Sequence, residues 1–469
     1  MQIPSSGKVN DVAGAATDII SSVRDAGIVG AGGAGFPTHV KLGNEVDTFI
    51  ANGAECEPIL DVDRHLMIRE AAAIVRGMEA AMEQVGASKG IIGIKDKNTE
   101  AIAAIRKAIA GRPNLTVSVL DNTYPAGDEQ VLIRQVTGRI VPPGGLPFMA
   151  GVTVSNVATL KQIADALDGK SVTSRYVTVG GEVERPVTVE APVGTVVGDL
   201  IAFAGGPTVP EYEVVLGGPI MGPIGDVNDS IDKRIGGVIV LPIDHTMIRL
   251  KREPIRITKQ RAKMCCTCQE CTILCPRNAI GHPISPAKMM TYSWFIDEII
   301  RKIEAHDIDE FIERMVFESL LCCQCGVCEQ YACIFGLAPN KVYALVKSAI
   351  GRAGLKFDFS KAPVNEQALF EHRKLPALTY ARKLGLEPYL VHTGFETLGS
   401  FMPSRVRVPL KQHLGAPAVA VVKTGDRVKT GDVIGEIPEK GLGARVHASI
   451  DGRVEMVSES GIVIGSGRS

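Results

Sequence analysis

Hydrophobic positions recur along this chain with two different periods. Over residues 9–25, Val9, Val12, Ala16, Ile19, Ile20 and Val23 fall at helical spacing, which predicts an amphipathic helix packed against its own domain. Apolar runs then alternate with helical stretches. Thr48-Phe49-Ile50-Ala51, Ile91-Ile92-Gly93-Ile94-Lys95 and Leu115 to Leu120 read as strands, with a helix from Glu100 to Ala110. From 175 to 225 the pattern shortens to alternating strands, opening at Tyr176-Val177-Thr178-Val179 and closing at Gly217-Gly218-Pro219-Ile220-Met221-Gly222. Ala287 to Leu320 returns to the helical period, with Ile296, Ile299, Ile300 and Ile303 at helical intervals. Residues 355–405 are mixed. Residues 406–465 repeat a strand-turn rhythm, in which Gly425-Asp426 and Gly431-Asp432 are expected as hairpin turns.

Composition narrows the class. A chain of 469 residues suggests about three domains. A net charge of -1 gives no pull towards nucleic acid or an anionic membrane. No apolar run approaches the length of a transmembrane helix; Gly237 to Ile243 is too short to span a bilayer. Met1 to Ser6 show no basic region leading into an apolar core, so no signal peptide is expected. The 50 glycines imply many tight turns and close backbone approaches.

The cysteines change the picture most. Ten of the 11 lie in two runs. Cys265, Cys268, Cys271 and Cys275 form C-x2-C-x2-C-x3-C-P, the bacterial [4Fe–4S] spacing. Cys322, Cys325, Cys328 and Cys333 form the same opening with a longer tail and no proline. Three cysteines at x2 intervals wrap a tight turn around one iron–sulfur cube, and the fourth ligand comes from elsewhere. In two-cluster proteins it comes from the other run. One cluster is therefore expected on Cys265, Cys268, Cys271 and Cys333, and the other on Cys322, Cys325, Cys328 and Cys275. Cys266 and Cys323 are spare members of Cys-Cys pairs. Tetrahedral zinc is the competing occupant, since paired C-x2-C motifs also suit it. A disulfide framework does not suit bunched cysteines in a chain of this length, and reduced cysteines point to the cytoplasm. The basic run Lys251, Arg252, Arg256, Lys259, Arg261 and Lys263 reads as a solvated face. It also stands where it would balance cluster charge or dock an acidic partner.

Upstream, Gly27-Ile28-Val29-Gly30-Ala31-Gly32-Gly33-Ala34-Gly35-Phe36-Pro37-Thr38 leaves backbone N–H groups bare for a flat or anionic ligand. It is neither the G-x-G-x-x-G fingerprint nor a P-loop. The polar cluster Asn52-Gly53-Ala54-Glu55-Cys56-Glu57-Pro58 ends a strand, where an open α/β sheet places its ligands. Tyr124-Pro125-Ala126-Gly127-Asp128-Glu129-Gln130 opens a helix with carboxylates at its N-terminus, and Val154 to Leu160 completes the set.

These four motifs, in this order, resemble the flavin-binding fold of the NADH-oxidising subunit of respiratory complex I. They are closer to the C subunit of the Rnf complex, and closest to the cobalamin reductases of bacterial propanediol-utilisation microcompartments. The resemblance implies that Gly30, Gly32, Gly33, Gly35 and Lys41 hold the FMN phosphate and ribityl chain. It places Asn52, Tyr124, Gly127, Asn156 and Thr159 along the rest of the flavin. Phe36, Glu57 and Glu129 would lie on the NADH side. This chain departs from the complex I pattern at Ala31, where that pattern has Arg, and at Ala54, where it has Asp. Cys56 reads as a small buried residue. The same families imply a small ubiquitin-like β-grasp (SLBB-like) module, read as a spacer. They also imply a C-terminal barrel-sandwich domain, whose carrier-arm role on Lys440 is disfavoured by the missing Asp-Lys tip.

The expected architecture is a multidomain α/β and α+β chain. An FMN/NADH domain covers 1–170, the β-grasp module 171–245 and a helical two-cluster ferredoxin-like domain 250–350. A connecting segment follows at 351–405, then the barrel-sandwich domain at 406–469. The expected activity passes electrons from NADH through FMN and two [4Fe–4S] clusters to a corrin, in regenerating coenzyme B12 during 1,2-propanediol breakdown. The resemblance implies a cobalamin adenosyltransferase and microcompartment shell or cargo proteins as partners, in the cytoplasm inside a microcompartment. The alternative is the electron-input subunit of a membrane-bound, ion-translocating Rnf-type complex.

Overall fold

The computed structural model describes residues 18–359, 362–364, 370–397, 401–439 and 441–467. The first predicted helix appears as Ile19–Asp25, with Val23 in the core. Its Val9, Val12 and Ala16 lie outside the described residues, as does Lys440.

The first layer is a four-stranded parallel sheet of β1 (Thr48–Gly53), β2 (Lys89–Lys95), β3 (Leu115–Leu120) and β5 (Val152–Asn156), in the order β3-β2-β1-β5. The short β4 (Thr123–Tyr124) lies outside it. β1 is buried almost throughout because both faces of the sheet are covered. Phe49, Ala51 and Ile92 meet the helices Ala71–Val85 and Val157–Leu167 on one side. Ile50, Ile91 and Val154 meet Leu132 and Ile133 of the helix Glu129–Thr137 on the other. At Gly77 the two covering helices come so close that a Cβ would stand 1.9 Å from the Leu160 carbonyl oxygen. Only glycine permits that approach.

The β-grasp module is a six-stranded sheet with its helix Val197–Phe203 packed on it. Its strand Ser174–Gly181 pairs parallel to Gly237–Pro242 and antiparallel to Val187–Pro192. The cysteine runs sit in a helical region whose core joins Ile296, Ile299 and Ile303 to Ile312, Val316, Val342 and Val346. The C-terminal domain is a sandwich of a four-stranded and a three-stranded sheet around Val406, Val408, Ile434, Val446, Ile462 and Ile464. Its two Gly-Asp steps are tight turns, with Asp426 and Asp432 accepting from the amides of Lys423 and Lys429 at 2.8 Å. Neither closes a hairpin of its own, however. Val419–Ala420 pairs with Val433–Glu436 across both turns, and Arg427–Val428 pairs instead with Arg453 and Gly452.

The segment after 351, mixed in sequence, is stitched into two other units. Leu375–Pro376 pairs with β4, and Gly394–Glu396 adds an edge strand to the β-grasp sheet beside Val187. Multidomain α/β architecture is thus as the sequence led one to expect.

Candidate active site

The carboxyl ends of β1 and β5 carry two asparagines that are register partners, Asn52 and Asn156. Asn52 Nδ2 donates to the Gly127 carbonyl at 2.9 Å, and its Oδ1 accepts from the Ala54 amide. Asn156 caps the helix Val157–Leu167 by accepting from the Ala158 amide at 2.9 Å, and donates to Asp63 Oδ2 at 2.8 Å. One turn along that helix, Thr159 Oγ1 accepts from the Ala31 amide at 2.9 Å. A Cβ on Gly32 would stand 3.7 Å from Asn156 Cβ. Gly32, Asn52, Gly127, Asn156 and Thr159 therefore meet in the crevice beyond the strand ends, where open α/β sheets bind ligands.

The glycine loop is closed at its base by the Val29–Pro37 bridge and by the Gly30 amide donating to the Phe36 carbonyl at 2.9 Å. Its tip, Gly32, Gly33 and Ala34, is exposed. At Gly33, with φ +107°, nothing lies within 4 Å of where a Cβ would stand. A bare peptide tip above an asparagine-lined crevice suits a flavin phosphate and its flat ring, so these residues fit FMN. Lys41 and Glu129 form an ion pair at 2.7 Å. Phe36 is half-buried at the base of the loop.

Beneath the crevice lies a buried ionisable group that sequence reasoning missed. The half-buried Glu55 accepts from the Asp63 amide at 2.6 Å. Burial pushes Asp63 up to about 6 and Glu55 well above the usual carboxylate range. Lys95 Nζ donates to the Glu55 carbonyl at 3.2 Å, and burial lowers its pKa. The visible signal was a lysine closing an otherwise apolar strand. Cys56 accepts from the Gly127 amide at 2.6 Å, and burial raises its thiol pKa. Glu57, expected on the NADH side, is tied to the β-grasp module. Both its oxygens accept backbone N–H bonds from the β-grasp turn, from Ile220 and Met221 at 2.8 Å each.

The cysteines fall into two groups. Cys265, Cys268, Cys271 and Cys333 line one small pocket open to solvent, with Cys266, Met290, Ile334 and Phe335. Burial pushes the Cys271 thiol up to about 12, and the neighbouring Cys333, Cys265 and Cys268 add to the shift. Cys275 is likewise pushed up to about 12 by burial, with Cys323 and Cys322 beside it. Cys328 is raised by burial and then by Cys322 and Cys275. Crowded thiols resist ionisation until a metal centre supplies the balancing charge, so this donor set fits metal clusters. Among the described residues no three His, Cys, Asp or Glu side chains gather tightly enough for a single ion. Cys323, a spare member of its pair by spacing, lies within the second group beside Cys325 and Arg277. Cys266 is exposed.

Both cysteine loops alternate left-handed residues between the thiols. Thr267 (φ 55°) and Gln269 (φ 68°) in the first match Gln324 (φ 60°) and Gly326 (φ 77°) in the second. Such alternation turns successive N–H groups into a concavity suited to an anionic cluster.

One short segment touches both centres. Gly127 is bonded to Asn52, while Tyr124 donates from its hydroxyl to the Cys325 carbonyl at 2.9 Å. Asp128 meets Arg277 at 2.8 Å, with both side chains nearly buried. Tyr124, expected along the flavin, thus spends its hydroxyl on the second cysteine loop.

Residues 23–165 match the family of the Nuo51 FMN-binding domain, 176–224 the SLBB domain, and 397–469 the RnfC barrel sandwich hybrid domain. Fold and site together define an NADH-linked oxidoreductase, an electron-transfer flavoprotein. The chain is 38% identical over 454 residues to cobalamin reductase PduS of Salmonella typhimurium, covering 96% of both chains. It is 37% identical over 452 residues to that of Citrobacter freundii, again covering 96% of both. It is 41% identical over 266 residues to the C subunit of the Na(+)-translocating ferredoxin:NAD(+) oxidoreductase complex of Acetobacterium woodii, covering 54% of this chain and 56% of that protein. The chain belongs to the PduS cobalamin reductase family.

Proposed function

We propose that this chain uses NADH to reduce cob(III)alamin and cob(II)alamin, through FMN in the first domain and two [4Fe–4S] clusters in the helical one. NADH yields two electrons at once and cobalt accepts one at a time. A bound flavin supplies the conversion between the two. In this reading Gly30, Gly32, Gly33, Gly35 and Lys41 hold the phosphate end, while Asn52, Gly127, Asn156 and Thr159 fix the ring end by directional hydrogen bonds. Cys322, Cys325, Cys328 and Cys275 hold the cluster nearer the flavin. Cys265, Cys268, Cys271 and Cys333 hold the one nearer solvent. No side chain need act as a nucleophile. The partners this implies are an adenosyltransferase presenting the corrin and the proteins of a microcompartment engaged in 1,2-propanediol breakdown.

The observation that carries the reading is the Tyr124–Asp128 segment, bonded through Tyr124 and Asp128 to the cysteine region and through Gly127 to Asn52. Protein purified without oxygen should release FMN on denaturation and reduce cob(II)alamin with NADH. Colourless protein, or zinc in place of iron, would end the reading. Cys325→Ser should remove about half the iron, since the two cubes hold equal numbers, whereas Cys266→Ser should leave it intact. Unchanged iron in Cys325→Ser would remove that ligand assignment.

The likeness to the Rnf-type protein of Acetobacterium woodii favours a second reading, an electron-input subunit of an ion-translocating complex. Among the described residues no helix is long and apolar enough to cross a membrane, so that role would require membrane partners. Corrin reduction by the purified chain alone decides for the first reading.

A further inference from the structure

The glycine loop carries no cation of its own, since alanine stands at position 31. A cation reaches it from another domain. Arg175, in the β-grasp strand Ser174–Gly181, is 5% exposed and donates from Nη2 to the Ala31 carbonyl at 2.7 Å. Its Nε donates to the Ile235 carbonyl at 3.3 Å. Among the described residues no carboxylate meets it at ion-pair distance; Asp63, Asp232 and Glu55 act on it only through space. Burying a guanidinium against two carbonyls is expensive unless its charge serves something nearby.

The Ala31 carbonyl and the Gly32 amide belong to one planar trans peptide, so they point in opposite directions. Arg175 fixes that carbonyl inward. The Gly32 N–H is thereby turned outward, on the exposed tip of the loop, beside Asn156. The Ala31 amide, which belongs to the preceding peptide, donates to Thr159, so Ala31 is held on both sides, and the 31–32 peptide cannot flip without losing the Arg175 bond. A guanidinium on the carbonyl also polarises the peptide and strengthens its N–H as a donor.

We propose that Arg175 is a positioning residue for the phosphate of the flavin, and that the β-grasp module is part of the FMN site rather than a spacer. This rests on the reading that the glycine loop holds FMN. Arg175 sets the direction of the Gly32 amide and supplies the positive charge that the loop lacks.

The test compares FMN with riboflavin, which has the ring but no phosphate. Full-length protein is depleted of flavin, and each ligand is titrated by quenching of flavin fluorescence. Arg175→Met should weaken FMN binding about tenfold or more, the scale of one lost charge-assisted interaction, and leave riboflavin binding within about twofold. Equal weakening of both ligands, or no weakening, overturns the proposal. If the wild-type protein binds riboflavin as tightly as FMN, the phosphate role falls while a flavin site stands. If it binds neither, the FMN reading falls as well. Should Arg175→Met fail to fold by circular dichroism, Arg175→Lys carries the test. Lysine keeps the charge but lacks the fork that spans Ala31 and Ile235. Its preference for FMN should drop about threefold or more, and an unchanged preference overturns the proposal.

Discussion

Lys233 is 2% exposed at a point where three domains meet. Its ammonium donates to the carbonyls of Gly27 and Arg445 at 2.7 Å each, and its amide donates to Gln412 Oε1 at 3.1 Å. Burial lowers its pKa to about 7. An unfolded lysine titrates near about 10.4, so between the two values the unfolded chain binds more protons. Stability carried by this group therefore rises as pH climbs from about 7 towards about 10. Lys233→Met has no such titration. The melting temperature of the wild type, measured against that variant, should gain steadily from about pH 6.5 to about pH 9.5, by roughly the slope of one proton. A constant difference would refute a lysine buried in this way. Nothing around Lys233 in the sequence marks it, because its partners are backbone carbonyls far away in the chain on either side. The cysteines are the opposite case. Their ligand type is written in the side chain and their wrapping in the x2 spacing, both local properties of the chain.

Elements were legible where period and length agreed. The strands Lys89–Lys95 and Leu115–Leu120 and the helices of the cluster region follow their apolar periods. The residues after 351 were not legible, because their strands Leu375–Pro376 and Gly394–Glu396 exist only by pairing with distant edges. Two- and three-residue strands carry too little pattern to stand out. The two Gly-Asp steps predict hairpin turns; both bends form but neither joins a hairpin, since loop sequence fixes a bend and not which sheet receives the next strand. At this scale Gly77 gives the sharpest prediction. A methyl there collides with the Leu160 backbone, which a side-chain rotation cannot relieve. Gly77→Ala should destabilise the protein by about 1–3 kcal/mol despite alanine's better helix propensity. The urea midpoint should fall with an unchanged slope, and flavin retention should fall with it, because Asn156 and Thr159 lead the helix that would be displaced. A higher midpoint would show that the helices are not in contact at that glycine.

Across the whole molecule the domains are joined by polar contacts that close over the two centres. Arg277 and Asp128 link the helical domain to the flavin-side helix beside Cys323. Arg277→Met would leave Asp128 unpaired, at a cost of about 3–5 kcal/mol. The two domains should then melt separately in calorimetry where the wild type melts together. A single unchanged transition would mean that the pair contributes nothing to their docking. The barrel-sandwich domain is tied in the same manner. Arg445 pairs with Asp25, the Leu414 amide donates to the Gly35 carbonyl, and Ser449 donates to the Val193 carbonyl. It thus covers the far side of the glycine loop, although it lies at the other end of the chain.

By itself the sequence determined the donor chemistry, the α/β and helical character of the units and the four motifs of the flavin fold, because each depends on residue type and short-range spacing. Only the tertiary structure decided which residues support the site. Arg175 bends to Ala31, Lys233 to Gly27, Glu57 to Ile220 and Met221, and Tyr124 to Cys325. Each of these bonds joins segments far apart in the chain, and each has a backbone group, common to every residue, as its partner. A contact made to the common peptide leaves no mark in the sequence of the partner; its existence is settled by which surfaces burial brings together.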